Sequence, residues 1–185
     1  MKIQGAVAQI INHAISLIDK VHDDGKLPAI NILANRGKDL GVYTCSGKHS
    51  VDIKIRKTGP WPGLTTLHEI GHFIDHQALG SGAGFGSMLN KALDVWKNAV
   101  QSSKAVEQIK FANMGADRKQ YFLSDIELFA RSYAQYITEK SADPILLSEL
   151  DKVRNGYSPW RQWSADDFVP IRKAFDQVFK KEGWL

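Results

Sequence analysis

The chain has 185 residues, of which 43% are hydrophobic, and this is enough for one globular domain with its own core. Its formal net charge is +4, and its lysines and arginines are scattered among acidic residues, which gives no argument for nucleic-acid binding. The composition excludes a disordered tail, a repeat array and a low-complexity protein, and a single cysteine, Cys45, excludes an intrachain disulfide.

The sequence carries no segment that reads as a membrane anchor or a signal peptide. Apolar residues near the N-terminus have helical spacing and are interrupted by Gln4, Gln9, Asn12 and His13. We therefore expect a cytoplasmic protein that has no membrane partner, with export by a route needing no N-terminal signal as the alternative. The oligomeric state cannot be predicted from the sequence.

The first third of the chain predicts one helix and a small sheet. Apolar residues recur with helical spacing over about residues 2–23. Short β-type runs follow at residues 29–33, 41–45 and 51–55, separated by turn signals, and Cys45 in the second run is interpreted as a small core residue. In the third run apolar and charged residues alternate, which indicates one solvent-facing side: Val51, Ile53 and Ile55 against Asp52, Lys54 and Arg56.

The remainder of the chain predicts helices. A break rich in proline and glycine precedes a helix over about residues 64–79, and a glycine-rich loop follows it. Further helical segments are a long amphipathic stretch over 88–111, a helix over about 125–140 capped by Ser124, a short helix opened by Asp143 and Pro144, and a last one from Ser164 to about 181. A small sheet followed by helices predicts an α+β fold, and we expect a single domain over 1–185, with helix and sheet in 1–60.

The most informative segment is His68-Glu69-Ile70-Gly71-His72, a His-Glu-x-x-His motif on the helix over 64–79. Residues four apart lie on one helix face a turn apart, so His68 and His72 can offer imidazole nitrogens to one metal ion. Glu69 lies one step round the helix, beside the metal, where a carboxylate can take a proton from metal-bound water. This pattern predicts a zinc peptidase that binds one Zn²⁺ per chain.

A catalytic zinc site needs a third protein ligand, and His76 is a poor candidate for it. On a continuous helix it lies about 12 Å along the axis from His68, too far for one ion. We interpret Asp75 and His76 as supporting or helix-surface residues. Asp75 can accept the free N–H of His72 and fix its tautomer, or it can be a solvated acid.

A glutamate from a later helix is the other solution, and Glu127 stands out among the candidates. Its neighbours are apolar and aromatic, so its helix is expected to be strongly buried, and a buried carboxylate needs a cation. That cation can be zinc or the nearby Arg131, and zinc is the interpretation we favour. The other candidates are Glu107, Glu139, Glu149 and Glu182.

The motif and the segment Glu127-Leu128-Phe129-Ala130-Arg131 together resemble the gluzincin pattern of catalytic domains like that of anthrax lethal factor. A closer resemblance is to the metallopeptidase-like domains of large polyvalent proteins in phages and conjugative elements. Those domains carry a tyrosine–aromatic pair six residues before a Glu-x-Phe-Ala-Arg segment, and later an Ala-Phe-Asp core. Here these are Tyr121-Phe122 and Ala174-Phe175-Asp176.

The resemblance implies a zincin-like fold, with a small mixed or antiparallel sheet packed on the motif helix, and a zinc-dependent metalloendopeptidase acting on protein or peptide substrates. His68, His72 and Glu127 would be the zinc ligands and Glu69 the general base. Tyr121 would stabilise the oxyanion, an effect typically worth ~2–4 kcal/mol. Its rivals for that role are Tyr133 and Tyr136, whose spacing is typical of core or rim positions.

In zincins an edge strand beside the motif helix pairs with the substrate backbone, and we expect the run over 51–55 to be that strand. Two other interpretations stay open. One is a peptidase of the type that cleaves phage repressors. The other is a catalytically silent zinc-binding or interaction module of a mobile-element protein, which the intact Glu69 argues against.

Overall fold

The computed structural model describes residues 5–23, 29, 31–80, 83–156 and 158–185. These residues form an α+β structure, which confirms the predicted fold class. The main elements, in chain order, are α1 (Ala6–Val21), β1 (Asn31–Asn35), β2 (Gly41–Ser46), β3 (His49–Arg56), α2 (Pro62–Ile74), α3 (Gly86–Leu89), α4 (Asp94–Gln101), α5 (Lys104–Phe111), α6 (Ala116–Leu123), α7 (Asp125–Ser141), α8 (Pro144–Arg154) and α9 (Ala165–Lys181).

The sheet of the described residues has three strands in the order β1–β3–β2. Strand β1 is parallel to β3, and β2 is antiparallel to it. The prediction that residues 51–55 form an edge strand is therefore wrong, because β3 is paired on both sides and offers no free backbone to a peptide. The strand next to the motif helix with an unpaired side in the described sheet is β2.

The burial of β3 and β2 follows the predicted pattern only in part. Ile53 and Ile55 are completely buried in the core, as their alternation indicated. Val51, by contrast, is 48% exposed, and Asp52 is buried beside Lys54, whose ammonium group lies 3.2 Å from its carboxylate. Cys45 is half-buried in β2 and is not a core residue, because β2 lies at the edge of the sheet.

Helix α2 packs against the sheet, α1, α7 and α8. Its N-terminus has Pro62 in the first turn, where a missing N–H costs nothing, and the backbone N–H of Leu64 donates to Glu149 of α8 at 2.7 Å. Its C-terminal end does not stop at Ile74 but continues as a π-helical turn over Asp75–Leu79, which completes the helical segment predicted over 64–79.

Helix α7 provides the other half of the core around α2. Ser124 caps it by accepting the backbone N–H of Glu127 at 3.3 Å, as the sequence predicts. Most of its residues are buried, including Phe129, Tyr133 and Tyr136, which pack on aromatic residues of α9. A helix buried on nearly all sides positions any polar group on it firmly.

The prediction of one long amphipathic stretch over 88–111 is wrong. The chain breaks after α3 into a 3₁₀ turn (Lys91–Leu93), and breaks again between α4 and α5. Ser103 makes the second break, because its hydroxyl accepts the N–H of Val106 and so starts a new helix. The helical periodicity is the same on both sides of the break, and the sequence pattern therefore conceals it. In the described residues no helix is long and apolar enough to cross a membrane.

Candidate metal centre and its cleft

The histidines of the His-Glu-x-x-His motif lie on one face of α2, as their spacing predicts. The rings of His68 and His72 have centroids 4.7 Å apart and an interplanar angle of 87°. Their side chains are 19% and 13% exposed, so both lie just below the surface. The two Nε2 atoms face the same point on α7.

That point is the carboxylate of Glu127. Its Oε1 atom lies 3.2 Å from Nε2 of His68 and 3.2 Å from Nε2 of His72. The Glu127 side chain is only 6% exposed, so its charge is taken out of water among the two imidazoles. The side chain does not reach back to the start of α7, and the capping box that Ser124 opens is therefore only half formed.

The close approach of α2 and α7 depends on Gly71. A Cβ added there would lie 3.0 Å from Cα of Ala130 and 3.2 Å from its carbonyl oxygen. Gly71 lies between the two histidines and Ala130 lies one turn after Glu127, so this contact is at the height of the three polar side chains. The contact sets the distance between the two helices where the side chains meet.

The buried group of His68, His72 and Glu127 can hold a metal ion. One donor atom from each residue lies within 4.8 Å of the others. In a tetrahedral zinc site with bonds of ~2.0–2.2 Å, neighbouring donors are roughly 3.3 Å apart, close to the 3.2 Å measured here for both histidine–glutamate pairs. Two imidazoles and one carboxylate are also a donor set that suits zinc.

The electrostatics of the group follow from its burial. Burial alone raises the pKa of Glu127, but the neighbouring His68 and His72 outweigh it and hold that pKa well below its usual range. Burial alone lowers the pKa of His68, and the negative charge and hydrogen bond of Glu127 outweigh it and raise that pKa. The group therefore keeps Glu127 ionised, which is the form that binds a cation.

Glu69 lies beside this group and faces β2. Its side chain is buried, and burial raises the pKa of its carboxyl above the usual value. The backbone N–H of Tyr43 offsets part of this rise in pKa, and a Cβ added to Gly41 would lie 2.4 Å from Oε1 of Glu69. Strand β2 therefore packs on Glu69 through its backbone, and a Cβ at position 41 would collide with the side chain of Glu69 where it now lies.

Of the three tyrosines considered for the oxyanion role, Tyr121 is the one at the cleft. It lies on α6, the residue is 55% exposed, and its hydroxyl is turned toward the inner side of the cleft, close enough to Glu127 to feel its charge. Burial of the hydroxyl and the charge of Glu127 raise the pKa of Tyr121. Tyr133 is fully buried and bonded to His22 at 2.9 Å, and Tyr136 donates to Asp176 at 2.7 Å, so both belong to the core.

The structure contradicts both interpretations of Asp75. It is neither solvated nor bonded to His72, because it is completely buried and accepts the backbone N–H and the hydroxyl of Ser87, each at 2.6 Å. The Nδ1 atom of His72 is buried and has no hydrogen-bond partner among the described residues. His76 is also buried, bonded through Nδ1 to the hydroxyl of Tyr43 at 2.8 Å, and is not part of the three-residue group.

Arg131 does not form an ion pair with the carboxylate of Glu127. Its guanidinium donates to the backbone carbonyls of Phe122 at 2.7 Å, Arg161 at 3.3 Å and Glu127 at 3.4 Å. Arg131 therefore ties α7 to α6 and to the segment before α9. The alternative in which Arg131 neutralises the buried glutamate is wrong, since the histidines are the groups in contact with that carboxylate.

The group opens into a cleft of about 550 Å³. One side of the cleft is the start of β2 with the residues before it, the floor is α2, and the other side is α6 with the segment before α9. His68, Glu69, Tyr121 and Glu127 all line it. A ligand in this cleft can therefore reach the metal-binding group, the buried carboxylate and the phenol together.

The parts played by Gly41 and Tyr43 were not predicted. A glycine inside a strand pattern indicates a close approach of another group to the backbone, and Gly41 gave that signal. What approaches cannot be predicted from the strand alone, because it depends on how the sheet packs on α2. Comparison of the chain with models of protein families, with curated proteins and with solved structures finds no match.

Proposed function

We propose that this protein is a zinc-dependent metallopeptidase that hydrolyses peptide bonds in the cleft over α2. The observation that carries the proposal is the placement of Glu69. This buried carboxylate lies beside a group of two histidines and a glutamate that can hold a metal ion, which is the position where a hydrolase needs its base. A purely structural zinc site would use four protein ligands and no base.

The residues divide the chemistry as follows. His68, His72 and Glu127 would hold zinc, which would act as a Lewis acid toward the scissile carbonyl and a bound water. Glu69 takes the proton of the attacking water and delivers it to the leaving amine. Its raised pKa suits both transfers, because a carboxyl that titrates nearer to neutrality gives the proton back more readily.

Tyr121 supports the proposal as a hydrogen-bond donor. It lines the same cleft as Glu127 and interacts with its charge, so it stands next to the group where a substrate carbonyl oxygen would gain negative charge. Burial and the nearby carboxylates raise the pKa of Tyr121, so the phenol keeps its proton at neutral pH and can donate it in a hydrogen bond.

The substrate backbone has a place beside β2 and not beside β3. In the described sheet β2 has one unpaired side, and it borders the cleft at Gly41. An extended peptide there would form main-chain hydrogen bonds with β2 and bring a carbonyl over the metal-binding group. This binding mode needs no particular side chain, which is consistent with a peptidase for extended segments.

Metal content tests the first part of the proposal. We expect about one zinc per chain by elemental mass spectrometry in protein purified without added metal or chelator. Glu127→Ala should lose most of it, because two imidazoles alone hold zinc weakly. Glu107→Ala is the matched control, since Glu107 is exposed on α5 and should leave the zinc content unchanged.

Cleavage of a peptide library tests the second part. The wild-type protein should cut it, and Glu69→Gln should keep the zinc and the circular dichroism spectrum while losing at least ~100-fold in rate. Full activity of Glu69→Gln would overturn the mechanism. A wild-type protein that holds zinc and cuts nothing would instead favour the silent binding module.

A further inference from the structure

The lining of the cleft carries more positive than negative charge. Apart from the residues of the metal-binding group and Glu69, the charged residues lining the cleft are Lys38, Arg118, Arg131 and Arg161 against Asp39 alone. The charge of Glu127 is turned toward the two histidines and is not available to the arginines as an ion-pair partner. The lining therefore has an excess of positive charge in a place where a substrate must bind.

Two of these arginines lack the partners that arginines usually have. Within the described parts of the chain, neither Arg118 nor Arg161 forms an ion pair with a carboxylate. The Nε atom of Arg161 is buried and has no hydrogen-bond partner there. A buried N–H without an acceptor costs free energy, so the guanidinium of Arg161 is incompletely satisfied by the described residues.

Two of the cleft arginines lie over the ring of Phe122. The guanidinium of Arg118 lies 5.7 Å from the ring centre of Phe122, and that of Arg131 lies 5.5 Å from the same ring. Phe122 in turn packs edge-on against Trp160 at 4.9 Å, next to Arg161 in the chain. Burial and the charge of Arg118 lower the pKa of Arg161, because the two like charges are close together.

Arg118 and Arg161 lie between the cleft and a second hollow. This hollow has a volume of about 660 Å³, and Arg118 and Arg161 line both spaces. Its other walls include Phe111, which is 83% exposed, and Trp160. A peptide that leaves the metal-binding group on this side passes the two arginines before it reaches the second hollow.

We propose that Arg118 and Arg161 form a carboxylate-binding subsite that selects substrates with an acidic group near the scissile bond. This proposal rests on the proposed peptidase function. Guanidinium groups bind carboxylates through paired hydrogen bonds, and neither Arg118 nor Arg161 has a carboxylate partner among the described residues. The second hollow favours an acidic side chain within a longer peptide, because the groove continues beyond the arginines.

The distance from the subsite to the reaction centre is set by α6. Arg118, Tyr121 and Phe122 are spaced three and four residues apart, so they share one face of this helix, and all three line the cleft. Arg118 is about one turn, ~5 Å, from Tyr121 along the helix axis. An extended chain advances about 3.3 Å per residue, so the acidic residue should lie within about three residues of the cut bond.

The test uses the Glu69→Gln protein, loaded with zinc, and measures binding without turnover. The probes are acetylated and amidated heptapeptides of alanine that carry Glu at each position in turn, with Gln peptides as neutral controls, and one alanine peptide with a free C-terminal carboxylate. Dissociation constants come from the shifts of the arginine Nε–Hε resonances in ¹⁵N spectra.

We expect one Glu position to bind at least ~10-fold tighter than its Gln counterpart, as a charge-assisted hydrogen bond allows. The double substitution Arg118→Gln/Arg161→Gln should abolish this preference. Arg118→Gln alone should weaken it, and because Arg118 is exposed we expect this variant to fold. Lys20→Gln/Arg36→Gln changes the net charge equally, outside the cleft, and should keep it. A preference for the free C-terminus supports the carboxylate subsite and assigns its source to chain ends.

Equal or undetectable binding of the Glu and Gln peptides, with no preference for the free C-terminus, would overturn the subsite. The same holds if the control pair of substitutions removed the preference as fully as the cleft pair. Failure of the peptidase proposal can be distinguished from failure of the subsite, because zinc content and peptide cleavage are measured in separate experiments. A protein that prefers Glu peptides but holds no zinc and cuts nothing would keep the subsite and lose the enzyme.

Discussion

The buried carboxyl of Asp75 makes the stability of this protein depend on pH in a way that one substitution should reverse. Burial raises its pKa from 3.8 to about 7, against the opposing effect of the two hydrogen bonds from Ser87. Between these two values the unfolded chain ionises Asp75 while the folded chain keeps it protonated. Stability is therefore lost as the pH rises through this window, and the loss is complete above pH 7.

The size of the effect follows from the two pKa values. The interval from 3.8 to about 7 corresponds to at most about 4 kcal/mol, at ~1.4 kcal/mol for each pH unit. Asp75→Asn is neutral at every pH and keeps both contacts, since its amide oxygen can accept the N–H of Ser87 and its NH₂ can donate to the hydroxyl. The free energy of unfolding of the variant should therefore increase relative to that of the wild type as the pH rises.

Urea unfolding between pH 4 and pH 8.5, with a chelator present throughout, measures this difference. The titrations of the metal-binding group are common to both proteins and cancel. Asp19→Asn, an exposed change on α1, is the control and should show a flat difference. A difference between Asp75→Asn and wild type that stays constant with pH, or a variant that is less stable than wild type at pH 8, would refute the reasoning. Zinc content should be unchanged, because Asp75 does not touch His72.

Two further substitutions test the surroundings of the motif helix. Gly41→Ala would place a Cβ 2.4 Å from Oε1 of Glu69, so cleavage in a peptide assay should fall by ~100-fold or more at unchanged zinc content. Gly115→Ala, where an added Cβ meets nothing within 4 Å, should stay close to wild type, and undiminished cleavage by Gly41→Ala would count against the placement of the base. Glu149→Ala removes the acceptor for the N–H of Leu64 and should lower the free energy of urea unfolding by about 1–2 kcal/mol. Glu149→Gln keeps an acceptor oxygen and should restore most of this loss. An unchanged free energy in Glu149→Ala would mean that water caps the helix equally well.

Much of the helical framework could be predicted because its signals are local. The caps at Ser124, Asp143 and Ser164 each start a helix within the range expected for it. The spacing of His68 and His72 likewise predicted a shared face, since four residues make about one helical turn. Each of these inferences needs only the geometry of a single helix, and a sequence carries that geometry directly.

The sequence did not indicate which elements lie next to each other in the fold. The alternation in β3 is the same for an edge strand and a central strand that has one polar side, so the strand order could not be predicted. The neighbour of Asp75 is Ser87, beyond a glycine-rich loop whose path no periodicity encodes. Arg118 and Arg161, which line the same cleft, come from segments far apart in the chain that are brought together only by tertiary packing.

The narrow crossing at Gly71 and Ala130 has a consequence for how freely this protein can change. The three donor side chains come from two helices in direct backbone contact, and the residues between 73 and 126 supply none of them. The connection between these helices holds α7 through its own core residues, such as the buried Trp96, which donates to Ser132 of α7, so its length can change without disturbing the donors only in its exposed loops. Gly71, by contrast, cannot be replaced without effect, because a single methyl group there would separate the two helices and pull Glu127 away from both histidines.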